Sequence, residues 1–140
     1  MTLSRWLILL ASILLFCGGV LHLIGYKFLI PALVNAGVDP KLLGAVKAVW
    51  LAFSVQFWFL SPALVWISRR AAARSLLFYL ALIPVIDAAL MYYYVGPFIG
   101  AYIVSVGAIL LLIGAWLLPR GEASTSWGTT GSASSDTLPG

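Results

Sequence analysis

The stretch IGAYIVSVGAILLLIGAWLL, residues 99–118, holds twenty consecutive residues without a charge. A helix needs roughly 20 mostly apolar residues to cross a hydrocarbon core about 30 Å thick. Inside such a core no water satisfies backbone N–H and C=O groups, so the run must close its own hydrogen bonds as a helix. Gly100, Gly107 and Gly114 recur through it every seven residues, on one stripe of that helix. A neighbouring backbone can approach closely along such a stripe, or a second copy of the chain can.

Three more runs of this kind precede it. Working outward from the last, spans are expected at about 76–95, 45–67 and 6–24. The whole chain has 140 residues, 63% hydrophobic and 9% charged, and a mean hydropathy of +1.08. Soluble domains are about a quarter charged, so this composition cannot coat a water-soluble globule. The expected fold is all-α and integral to the membrane: a four-transmembrane-helix bundle of up-down topology over residues 1–120. The opening stretch 5–19 has the charge-then-apolar look of a signal peptide. No A-x-A-like site follows it, and bulky Phe16 stands before Cys17, so it is read as an uncleaved first helix.

Between the first two runs, residues 26–44 are semi-apolar and carry Pro31, Gly37 and the pair Asp39-Pro40. A loop is expected there, with a short interfacial helix or re-entrant piece at 28–34. Residues 121–140 are rich in Gly, Ser and Thr and poor in aliphatic side chains, which predicts a disordered tail.

Charge supplies the orientation. Arg5, Arg69, Arg70, Arg74 and Arg120 fall on one side of a four-span chain, against Lys27, Lys41 and Lys47 on the other. Basic residues favour the cytoplasmic side, so both termini and the tail are expected in the cytoplasm, with the protein in a bacterial inner (plasma) membrane. The net charge of +4 is spread between apolar runs rather than gathered on one face. That pattern is a topology signal and gives no basis for a nucleic-acid partner. The tyrosines 92–94 read as an interfacial belt.

Helices in lipid are held by close packing and buried polar contacts. Gly18 falls on one face of the first run with Ala11 and His22, and Ala45, Ala48, Ala52, Gln56 and Ala63 on one face of the second. These faces are expected to be contact seams, together with the Gly100, Gly107 and Gly114 stripe. Pro62 and Pro84 each remove one helical hydrogen bond, from the carbonyls of Trp58 and Leu80.

Asp87 is the only acidic residue inside an expected span. A carboxylate near the bilayer centre costs at least about 2.5–3.5 kcal/mol, so it should face other helices and find a partner. At about 1.5 Å per residue, Gln56 and Ser54 lie near its level and His22 about 6 Å farther out. Gln56 is the expected partner, since Ser54 points to the other side of the helix. Asp87, His22 and Gln56 are thus the candidate ligand or proton-handling residues, against a purely structural network that fixes helix register.

No HExxH, GxSxG, phosphate loop or paired carboxylates are present, so no catalytic residue, metal site or cofactor is assigned. In size and layout the chain resembles several groups of small bacterial four-helix membrane proteins, the DoxX-like group among them. The resemblance covers the four spans and carries no site residue. The leading expectation is a non-enzymatic subunit or partner-binding component in the lipid bilayer, as a homo-oligomer or within a larger membrane complex. The alternative is a small-molecule, lipid or proton-linked carrier or binding protein using the Asp87, Gln56 and His22 network. A third class is a membrane enzyme modifying a lipid or quinone, with Asp87 and His22 as acid and base.

Overall fold

The computed structural model describes residues 2–70 and 73–119. Four helices make up the described chain: α1 (Leu3–Asn35), α2 (Pro40–Ile67), α3 (Ala73–Tyr94) and α4 (Ile99–Trp116). Among the described residues there is no strand. All four helices are long and apolar enough to cross a membrane. The tail expected at 121–140 and the vote of Arg120 lie outside the described residues.

The largest departure from expectation is at 26–44. Helix α1 runs unbroken to Asn35 and α2 begins at Pro40, so the expected loop shrinks to four residues. Hydropathy marks where a membrane segment ends, at Tyr26 and Lys27, but gives the backbone no reason to stop. Residues 26–35 contain no glycine, and Pro31 removes a single hydrogen bond, at the Lys27 carbonyl. The helix ends where glycine permits it. Gly37 adopts φ 70°, its N–H reaching the Val34 carbonyl at 3.0 Å while the N–H of Val38 reaches Leu33 at 3.2 Å. These two bonds satisfy the last carbonyls of α1. Asp39 then starts α2, accepting from the N–H groups of Lys41 (2.9 Å) and Leu42 (3.2 Å). Pro40 occupies the first helical position, where its missing N–H costs nothing.

Helix α1 is the centre of the assembly. It packs along both α2 and α4, and α4 packs on α3, whereas α2 and α3 touch only sparsely. The buried core follows that order, with Ile8, Ala11 and Leu15 from α1, Phe57 and Leu64 from α2, Leu77 and Ala81 from α3, and Val104, Leu111 and Ala115 from α4. Two of the buried serines are satisfied within their own helices. The hydroxyls of Ser12 and Ser61 donate to the carbonyls of Ile8 (2.8 Å) and Phe57 (2.7 Å) one turn back. The outer surface is apolar, with Phe59, Ile86, Ile109 and Ile113 exposed.

The glycine stripe of α4 is mostly covered from within. A Cβ at Gly114 would stand 2.8 Å from Ile8 Cγ1 and 3.1 Å from the Ser4 carbonyl oxygen, and one at Gly107 3.1 Å from Leu15. Gly18 faces α4 as well, against Val104. Gly100 departs from the expected seam, since its neighbour is Phe98 at the start of its own helix.

The expected small-residue seam on α2 is also corrected: Ala45, Ala48 and Ala52 are exposed. On α1 it is glycine that receives large side chains, Gly19 lying against Trp58 and Gly25 against Trp50. The two tryptophans rotate α2 so that its bulky face, not its alanine face, meets α1.

Arg5, Ser68, Arg74 and Leu118 line one pocket. The start of α1, the end of α2, the start of α3 and the end of α4 are therefore neighbours. Since α1 has 33 residues and α4 has 18, α1 and α2 overrun the others at the opposite end.

Gly114→Ala is expected to lower stability by about 1–3 kcal/mol through overpacking against Ile8 and Ser4. Gly44→Ala, where an added Cβ meets nothing within 4 Å, should be neutral or stabilising by up to about 1 kcal/mol. Thermal unfolding of both variants in one detergent checks this, and equal effects would contradict the close approach of α1 and α4.

Candidate functional site

The inner stripe of α3 reads Ala73, Leu77, Ala81, Pro84, Asp87, Ala88 and Met91, spaced as one helical face requires. Asp87 is thereby drawn inward with the apolar residues and is only 6% exposed. Its partner comes from across the sparse α2–α3 seam: Gln56 Nε2 donates to Asp87 Oδ2 at 2.8 Å. The carboxylamide and carboxyl groups stood at one depth in the sequence, and the helix rotations bring them into contact.

His22 enters from α1 by a different route. Its ring stacks on Trp50, with centroids 4.0 Å apart and planes 11° apart, and meets Phe53 at 5.7 Å. The indole N–H of Trp50 donates to the His22 carbonyl. The Nε2 atom of His22 is buried and has no hydrogen-bond partner. Ser54, also near the level of Asp87, takes no part. It is buried on the α1 side, where its carbonyl approaches Gly19 and its hydroxyl has no partner.

Asp87 and His22 share the wall of one cleft, about 390 Å³ in volume, between α1, α2 and α3. The rest of the wall is apolar or aromatic: Ala45, Val46, Val49, Trp50, Phe53, Leu90, Met91, Tyr94 and Val95. This volume lies within the range of about 300–1,000 Å³ found for small-molecule sites, which are mostly apolar with a few placed polar groups. Asp87 brings a carboxyl group to this wall and His22 an imidazole ring, while the exposed lining is almost wholly apolar. Among the described residues no group of three His, Cys, Asp or Glu side chains is placed to hold a metal ion.

The three residues singled out from sequence are thus divided in their contacts. Gln56 and Asp87 are bonded to each other, and His22 joins them only through the cleft wall. Sequence reasoning missed the aromatic side of the cleft. Trp50, Phe53 and Gln56 follow one another at three-residue spacing, so they share a helix face. That signal was present in the sequence but competed with the alanine row beside it.

Comparison with family models, with curated proteins and with solved structures finds no match to this chain.

Gln56→Leu removes the donor and leaves the buried Asp87 oxygen unpaired, which should cost about 1–3 kcal/mol. The double variant Gln56→Leu/Asp87→Leu should recover part of that loss, because two apolar groups need no partner. Unfolding free energies for the two single variants and the double variant would decide it. An additive double variant would mean that the bond contributes nothing.

Proposed function

We propose that this protein binds a small, largely apolar molecule carrying one hydrogen-bonding head group, taken from the bilayer into the α2–α3 cleft. The observation that supports it best is the joint placement of Asp87 and His22 in an otherwise apolar cleft of about 390 Å³. An ionisable group among transmembrane helices is costly and is retained mainly where it is used. In this reading Asp87 bonds the head group, and Gln56 holds the carboxyl group in one rotamer through its 2.8 Å hydrogen bond. His22, clamped against Trp50, offers the second polar contact. The apolar body of the ligand lies on Phe53, Val49 and Leu90. Such a protein is a carrier or binding protein rather than an enzyme.

The membrane setting belongs to the same proposal. The helices form an up-down bundle in the inner membrane of a bacterium, with both termini in the cytoplasm. The neighbouring positions of Arg5, Arg69, Arg70 and Arg74 support this orientation. The cleft then lies in the outer half of the bilayer, since Tyr94 and Val95 close α3 at the far end.

A second reading is favoured by the exposed row Ala45, Ala48 and Ala52 on α2. Small residues let a foreign helix approach closely, and a partner helix laid there would make this chain a subunit of a larger complex.

Gentle extraction followed by mass spectrometry separates the two. The binding reading expects a stoichiometric small molecule that is lost in Val49→Trp, where the indole fills the cleft. Asp87→Leu should weaken its binding by about tenfold or more. A stoichiometric protein partner with no small molecule would sink it. Reporter fusions after Arg70 and at the C-terminus should both report cytoplasm, and a fusion at Gly37 the opposite side. The inverse pattern would reverse the orientation, and any mixed pattern would overturn the up-down bundle.

A further inference from the structure

At the end of the molecule away from the cleft, the helix termini enclose a second cavity of about 350 Å³. Arg5, Arg69, Arg70 and Arg74 line it, together with Ser68 and Leu118. Four positively charged residues around one cavity repel each other and favour an anion among them. The acidic side chains among the described residues are engaged elsewhere. Asp39 caps α2 at its far end, and Asp87 accepts from Gln56. Ser68 adds no negative charge, and its hydroxyl donates to the Val65 carbonyl at 2.7 Å.

Two of the arginines are held by aromatic rings. The Arg70 guanidinium lies 4.3 Å from the centroid of Trp66, and that of Arg74 lies 5.1 Å from the centroid of Trp116. A guanidinium held over a ring keeps N–H groups free, and its planar fork can grip two oxygens of one anion. The two tryptophans are themselves 59% and 64% exposed, on helices whose outer surface is otherwise apolar. Amphipathic rings in that position belong at the level of lipid head groups.

We propose that this cavity binds the phosphate of an anionic phospholipid. The acyl chains run down the exposed apolar surface beside Trp66, Trp116 and Leu117. A lipid is favoured over a soluble phosphate because the arginine forks and the apolar surface meet at these two tryptophans. Basic pockets between transmembrane helices are known to hold such head groups. The inference is independent of the cleft and its ligand.

The test uses the full chain in detergent, titrated with phosphatidylglycerol and read by native mass spectrometry. Phosphatidylcholine and inorganic phosphate form the comparison arms. One phosphatidylglycerol is expected to remain bound where phosphatidylcholine does not, and inorganic phosphate should not displace it. Arg70→Gln/Arg74→Gln should weaken it about tenfold, and Arg70→Lys/Arg74→Lys should weaken it too, because lysine keeps the charge but loses the fork. Arg5→Gln/Arg69→Gln, expected to act in the same direction, replaces the first pair if that variant does not fold. Undiminished binding in the lysine variant would overturn the proposal in favour of unspecific attraction. Equal binding of phosphatidylcholine would overturn it, and displacement by inorganic phosphate would make the site one for a soluble anion. Glu122→Gln/Asp136→Asn should leave the affinity unchanged. Binding that appears only in that variant would show the chain's own carboxylates to be the occupant, which also overturns it.

Discussion

The close approach of α1 and α4 is the constraint from which the rest of the structure follows. Lipid chains are as apolar as leucine, so apolar side chains alone give two helices no reason to associate in a bilayer. Backbones must come near enough for dense contact, and Gly107 and Gly114 allow that against Leu15, Ile8 and Ser4. Once α4 occupies one side of α1, the opposite glycines, Gly19 and Gly25, are left for the tryptophans of α2. Helix α3 then has only α4 to lean on. The order α2, α1, α4, α3 is thus set by which small residues α1 and α4 present.

An open seam between α2 and α3 is the direct consequence. The central α1–α4 contact holds the two outer helices apart, and the bond from Gln56 to Asp87 is the side-chain hydrogen bond that crosses the gap. A polar bridge in a dry seam has an effect that an apolar contact lacks. It fixes rotation and register of α3 against α2, because a shift of either helix would leave a buried carboxyl group unpaired. In the proposed function the same bridge also aims the carboxyl group, so a structural role and a binding role for Asp87 are compatible. Loose α2–α3 packing leaves the space, and the bridge keeps it at a defined width.

Much of this was legible in the sequence, and what was not has identifiable causes. The four helices follow from long runs without charge, since an apolar slab permits little else. The meeting of Gln56 and Asp87 followed from depth, since helical rise converts residue number into height, and from helix face, which set Ser54 aside. Rotation is harder. Whether Ala48 or Trp50 of α2 faces α1 depends on where α1 keeps its glycines, which is a property of two helices and not of either. The alanine row therefore looked like a seam and is exposed, while the stacked ring pair His22–Trp50 gave no isolated signal. The end of α1 lies beyond the expected one for a different reason. Lys27 and Pro31 mark polarity and a missing hydrogen bond, but a helix stops where its carbonyls find other partners, at Gly37.

The length of α1 matters for the site. Helix α1 has 33 residues and α2 has 28, lengths of about 50 and 42 Å at 1.5 Å per residue. A hydrocarbon core of about 30 Å cannot contain either one upright. The excess lies beyond the short helix α4, at the end of the molecule where the cleft opens between α1, α2 and α3. The connecting hairpin carries exposed Lys27 and Lys41 together with exposed Phe28 and Leu42. Charged heads on apolar stems suit the boundary between lipid and water, where the stem stays in contact with lipid and the head with water. The overrun therefore places a stiff helical wall, carrying both charged and apolar side chains, beside the cleft.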